Sequence, residues 1–181
     1  FTCTGTILNS QYILSAAHCV TDVKGMVVLF TTDGSTSEKI SNLMKSGTNA
    51  RRVVGVNFNV DYPNTGLGSM FPHNDISLIR FAGGIPAGFK PVTLLNPTVM
   101  NKYLKLGMNI IIAGFGQRED NASGTLYKNN VVLQKFYDKT VVVGEAGSSS
   151  CHGDSGGPAF INVGGKLYQF AVLSRGEPGC V

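Results

Sequence analysis

The sequence is poor in charge: only 14% of its 181 residues are Asp, Glu, Lys or Arg. Beside them stand 43% hydrophobic residues, a balance that supports a buried core and excludes a disordered chain. No apolar run approaches the length of a membrane span, and the longest, such as residues 26–30, are strand-sized, so no membrane partner is expected. CxxC pairs are absent, which argues against zinc. Asp22, Asp33, Glu38 and Asp61 are too dispersed for a calcium site, and neither metal nor cofactor is expected. The net charge of +4 is modest, and the basic residues, scattered apart from Arg51 and Arg52, lack interleaved aromatics, which excludes nucleic acid as an expected partner. There is no internal repeat and no low-complexity tract. Two further absences matter for the chemistry: no histidine follows Ser155, and no aspartate precedes His18.

What is present is an even number of cysteines, four, which fits two disulfides in an oxidising compartment with three possible pairings. Glycine is abundant at 23 residues and suits many tight turns. Short runs rich in Val, Ile, Phe and Tyr recur between turn signals, at 4–8, 12–15, 26–31, 52–58, 76–81, 109–113, 131–136, 140–143, 159–163 and 167–174. Many short strands with few helices predict an all-β sandwich or barrel. Residues 38–44 have helical spacing but are few, and their reading stays open. Pro91 and Pro97 interrupt the pattern within 88–103, where two lobes would cross over. Asn121-Ala122-Ser123 is a glycosylation sequon in an expected surface loop.

Three segments carry nucleophile chemistry. Gly153-Asp154-Ser155-Gly156-Gly157-Pro158 sets a serine among glycines, which let the backbone turn and let a carbonyl approach main-chain N–H groups. A serine hydroxyl needs a base, and Ala16-Ala17-His18-Cys19 supplies one. Asn74-Asp75-Ile76-Ser77-Leu78-Ile79-Arg80 places an aspartate ahead of an apolar strand. Alone, His18 could equally be a core histidine and Asp75 a turn residue. The order removes two rival architectures: α/β-hydrolases need a histidine after the serine, and the subtilisin order needs an aspartate before the histidine. His73, in an expected loop after Phe71-Pro72, competes for the base and reads as a surface residue. A Cys151 thiol beside His152 is the weaker nucleophile, because adjacent residues rarely reach the needed geometry.

Ser15-Ala16-Ala17-His18-Cys19, Asn74-Asp75-Ile76-Ser77-Leu78-Ile79 and Cys151-His152-Gly153-Asp154-Ser155-Gly156-Gly157-Pro158 resemble the three catalytic signatures of the chymotrypsin/trypsin-like serine proteases, and the match runs from Cys3 to Cys180. The resemblance implies two packed antiparallel six-stranded β-barrels with the site in the cleft between them, as one peptidase domain with lobes at about 1–86 and 104–181. It implies Ser155 as nucleophile, His18 as general base and then acid, and Asp75 as the group that orients His18. It implies an oxyanion hole from the N–H groups of Gly153 and Ser155. Ser149 would form the base of the primary specificity pocket. His152, Ser174, Arg175 and Gly176 would contact substrate, with Ser174 and Gly176 on the strand that pairs with its backbone. An uncharged Ser149 implies an apolar or aromatic residue before the cut bond. The implied disulfides are Cys3–Cys19 and Cys151–Cys180.

By the same resemblance Asp154 pairs with a freshly cut N-terminus, and Phe1 lies too close to the Cys3 staple to reach it. The expectation is a zymogen-like arrangement with the Gly153 N–H poorly aimed. The resemblance also implies chain beyond both ends, a compact form nearer to bacterial secreted members, and a tryptophan where Arg175 stands. The implied protein is a secreted or periplasmic monomer. Its partners are polypeptide substrates and protein protease inhibitors. An inactive homologue serving as a binding or inhibitory module, and a serine esterase, are the rival functions.

Overall fold

A computed structural model describes residues 2–21, 25–62, 74–145 and 148–176. Ten antiparallel strands form two five-stranded sheets among these residues. The first has the order β1-β2-β5-β4-β3, built from β1 (Thr6–Ile7), β2 (Tyr12–Ser15), β3 (Val27–Leu29), β4 (Ala50–Phe58) and β5 (Ser77–Phe81). The second runs β10-β9-β6-β7-β8, from β6 (Asn109–Gly114), β7 (Tyr127–Phe136), β8 (Val141–Val143), β9 (Pro158–Val163) and β10 (Lys166–Val172). The all-β, two-barrel architecture expected from the sequence is borne out, with five strands per sheet among the described residues where six were expected.

Each sheet has its own core. Side chains alternate across a strand, so the inward set can be read directly. In β5, Ser77, Ile79 and Phe81 are buried while Leu78 and Arg80 face out. Ile79 and Phe81 join Ile13, Ala16, Cys19, Val20 and Phe30 in the first core, where the Phe30 ring meets those of Phe81 and Phe89 edge-on at 5.4 and 5.5 Å. Ile110, Ile112, Val131, Leu133, Ala159 and Ile161 lie in the second. Fully burying such a side chain stabilises the fold by about 1.5–3 kcal/mol. These two cores fix the strand ends on which the candidate site is mounted.

Two short helices break the β pattern. α1 (Ser37–Ser46) resolves the open reading of 38–44: Thr36 caps it by accepting from the Lys39 N–H, and Gly47 ends it in a left-handed conformation with φ of 65°. α2 (Pro97–Tyr103) was not expected, since Pro97 reads as a break. A proline is equally suited to the first helical turn, where no N–H is required, and Asn96 caps this one through the Val99 N–H.

The chain crosses between sheets just ahead of α2 and is bonded to both. The Val92 N–H donates to the Ile7 carbonyl of β1, the Gln169 N–H of β10 donates to Thr93, and Leu95 donates to Gln169. A second seam joins the Gly34 N–H to the Gly124 carbonyl and the Leu126 N–H to Thr32. No described helix is long and apolar enough to cross a membrane.

Candidate active site

Strand register brings His18 and Asp75 together. β2 pairs with β5 so that Ser15 faces Ser77, and the residues just past β2 therefore meet those just before β5. His18 sits in a single 3-10 turn, Ala17–Cys19, directly after β2. Asn74 adopts a left-handed φ of 61°, which asparagine tolerates, and the Ile76 N–H donates to its carbonyl, closing the tight turn that presents Asp75. Buried Ser77 ties this turn to the histidine segment by donating to the Ala16 carbonyl at 2.8 Å.

Asp75 is only 8% exposed and uses both oxygens. Its Oδ1 accepts the His18 backbone N–H at 2.9 Å, and its Oδ2 lies 2.7 Å from His18 Nδ1 and accepts Ser174 Oγ at 2.5 Å. Burial by itself pushes this carboxyl up, but the bonds from the His18 ring, Ser174 and the His18 N–H together outweigh it and hold the group below its ordinary value. The ionised form therefore stabilises the fold above the ordinary carboxylate range, and that contribution is lost as pH falls through the lowered value. With Nδ1–H donated to Asp75, the free lone pair of His18 is on Nε2.

Ser155 lies on a loop held against the same segment. Its carbonyl accepts the Thr4 N–H at 2.8 Å, and Cys19 Sγ lies 3.8 Å from that oxygen. Gly156 packs so closely beneath it that a Cβ there would meet Ser15 Oγ at 2.1 Å and the Ala16 nitrogen at 3.0 Å. Among the described residues no hydrogen bond joins Ser155 Oγ to His18, a contact that commonly tightens only when substrate is bound.

The loop's peptide planes are tied from one side. Every described peptide bond is trans, so a carbonyl and the N–H that follows it point in opposite directions. The His152 carbonyl accepts the Gln117 N–H at 2.9 Å, which turns the Gly153 N–H the other way. The Asp154 carbonyl accepts the Gly157 N–H at 2.8 Å, which does the same for the Ser155 N–H. Neither of those two N–H groups has an acceptor among the described residues. Gly153 holds a φ of 101°, open to glycine and strained for any side chain.

Asp154 corrects an expectation. It is not left without partners: Oδ1 accepts the Gly116 N–H and Oδ2 the Cys151 N–H, both at 2.9 Å. Backbone donors therefore satisfy the carboxylate without an N-terminal ammonium, and the Gln117 N–H holds the His152–Gly153 peptide.

The remaining predicted residues are dispersed around this centre. Ser149 makes a long contact to the Ser150 carbonyl at 3.4 Å. Gly176 approaches that same carbonyl, where a Cβ would come within 2.5 Å. Ser174, Arg175 and Gly176 lie past the end of β10 rather than on a strand, and the Ser174 side chain is used on Asp75. His152 and Arg175 are exposed. Cys3 and Cys19 form a disulfide, which excludes their joint use with His18 as metal ligands despite their proximity. Cys151 is also disulfide-bonded; Cys180 and His73 lie outside the described residues.

Sequence reasoning missed Tyr62. Burial first, and then the Asp75 charge, raise its hydroxyl above the ordinary tyrosine value against the opposing pull of Arg175. Thr4 was missed as well, though its position right after Cys3 could have drawn attention.

The whole of this chain, residues 1–181, matches the trypsin family. It belongs to that family of serine-type endopeptidases. Among curated members it is 28% identical to phenoloxidase-activating factor 3 of Holotrichia diomphalia, over 95% of this chain and 55% of that protein. It is 27% identical to melanization protease 1 of Drosophila melanogaster, over 98% of this chain and 52% of that protein. Trypsin-1 of Astacus astacus is 25% identical, over 98% of this chain and 78% of the relative. The chain spans about half the length of the first two of these trypsin-family relatives. All three are arthropod proteins, not bacterial ones.

Proposed function

We propose that this chain is the catalytic domain of a serine endopeptidase that cuts polypeptides through an acyl-enzyme. The observation that carries the reading is the His18–Asp75–Ser174 cluster, set beside a Ser155 loop whose Gly153 and Ser155 N–H groups are turned away from protein acceptors. His18 Nε2 takes the Ser155 proton as Oγ attacks the scissile carbonyl. The oxyanion is received by the two N–H groups, and His18 returns the proton to the leaving amine. Water, activated by His18, then releases the acyl group. Asp75 keeps His18 in the tautomer that makes this possible.

The names of the phenoloxidase-activating and melanization relatives suggest cleavage of another protein as the physiological task. A monomer in an oxidising, extracellular setting fits the disulfides, with Cys151 pairing with Cys180. The test is to treat the full-length processed protein with a fluorophosphonate and map the adduct by mass spectrometry. Modification at Ser155 with cleavage of a peptide amide is expected. Absence of labelling would leave a binding module, and turnover of esters alone would make the protein an esterase.

Ser149 carries no charge, so charge pairing with a basic side chain has no counterpart at the pocket base. A positional-scanning peptide library is expected to show Phe, Tyr, Leu or Met before the cut bond in preference to Lys and Arg. Dominant cleavage after Lys or Arg would remove Ser149 from that role.

A further inference from the structure

We propose that Thr4 is a positioning residue for the oxyanion-binding N–H groups, its buried hydroxyl locking the Gly153–Asp154 peptide from the segment just ahead of β1. The inference rests on the endopeptidase reading above and deepens it. Thr4 is 3% exposed, and each of its polar groups is bonded. Oγ1 donates to the Gly153 carbonyl at 2.8 Å and accepts the Phe115 N–H at 3.1 Å. Its own N–H donates to the Ser155 carbonyl at 2.8 Å, and its carbonyl accepts Ser15 Oγ at 2.9 Å.

These bonds do more than fill valences. The Gly153–Asp154 peptide is gripped at both ends, its oxygen by Thr4 and its hydrogen by the Cys151 carbonyl at 3.0 Å. Its plane cannot rotate without breaking one of them. That peptide shares Gly153 with the preceding one, whose N–H is the proposed oxyanion donor, and a glycine lets two neighbouring peptides swivel together at little cost. The Thr4 hydroxyl removes this freedom. It acts across the lobes, one residue from the Cys3–Cys19 disulfide that also anchors the His18 turn. Base and oxyanion donors are thereby referred to one rigid point. A donor that is fixed before reaction needs no reorganisation in the transition state, which is where such groups act.

The experiment uses the full-length processed protein carrying Thr4→Val, which keeps the shape and loses the hydroxyl, and Thr4→Ser, which keeps the hydroxyl and loses a methyl. The readouts are kcat and KM on a peptide amide, and the inhibition constants of a peptide aldehyde, which forms an oxyanion, and of the matching peptide alcohol, which does not. Thr4→Val is expected to lower kcat by about 10- to 100-fold with KM little changed, somewhat less than outright removal of an oxyanion donor costs. It is expected to weaken the aldehyde far more than the alcohol, and Thr4→Ser to recover most of both losses. Equal losses in the two variants, unchanged kinetics in Thr4→Val, or parallel weakening of aldehyde and alcohol would overturn the proposal. If Thr4→Val does not fold, Thr4→Ala is measured in its place. Failure of both to fold would assign Thr4 to stability alone and equally overturn it. A wild-type protein that neither turns over nor takes up the fluorophosphonate would instead sink the endopeptidase reading.

Discussion

Replacing Ser155 with alanine is expected to lower peptide-bond turnover by about four or more orders of magnitude, on the scale known for serine-protease triads. The substitution removes one oxygen and nothing that holds the loop. The bonds that position residue 155 run through its backbone, from the Thr4 N–H to its carbonyl and from the Gly157 N–H to the carbonyl before it. The variant is therefore expected to fold normally and to bind substrate with nearly unchanged KM. The residual rate would come from the two N–H groups and from orientation alone. Measuring kcat and KM on a peptide amide beside fluorophosphonate uptake checks this. Near-normal turnover, or labelling retained at another serine, would remove Ser155 from the mechanism.

The second large effect is expected from Asp75→Asn, about 10⁴-fold in kcat. The surroundings of Asp75 dictate how an amide would sit. Oδ1 faces the His18 backbone N–H, which can only donate, so the amide oxygen must take that place. The NH2 group then occupies the position of Oδ2 and points at His18 Nδ1. Nδ1 must become the acceptor, which moves the ring proton to Nε2, where the Ser155 proton has to be received. The histidine is then held in place in the wrong tautomer. Ser174 Oγ also loses its carboxylate acceptor, a charge-assisted bond at 2.5 Å. A steep loss of kcat with the fold retained is the expected pattern, read from steady-state kinetics and a thermal unfolding midpoint. A variant with ordinary kcat would show that His18 is oriented by something other than Asp75.

The two variants probe different links of one arrangement. Ser155→Ala removes the reacting atom, while Asp75→Asn leaves every heavy atom near its place and changes only where a proton can sit. A protein in which the first is silent is not a serine hydrolase at this site. One in which only the second is silent would still be a hydrolase, with a different proton route.

How much of this was legible in the sequence follows from what each feature depends on. His18, Asp75 and Ser155 stand out because their chemistry needs particular residue types in local settings: an apolar strand ahead of the histidine, another behind the aspartate, glycines around the serine. The strands were legible because alternation is a property of consecutive residues; Tyr12–Ser15 coincides with its predicted run, and the other nine differ at their ends. Ends are set by where a partner strand stops, which no local pattern records. Pro97 shows the limit of a single-residue signal, since the same missing N–H that breaks a helix interior suits its first turn, and Asn96 decided between them.

The sequence by itself determined the residue types, the order of histidine, aspartate and serine, and the two-period patterning that makes an all-β chain. Only the tertiary structure decided who meets whom across a long separation. Asp154 reads as a carboxylate in need of a cation, yet folding delivers the Gly116 and Cys151 N–H groups to it. Thr4 reads as an ordinary strand residue, yet it bonds Gly153 and Ser155 from the far end of the chain. The physical reason is common to both. Backbone N–H and C=O groups are the same at every position, so the sequence carries no mark of which of them a side chain will find; register and lobe packing alone bring them into reach.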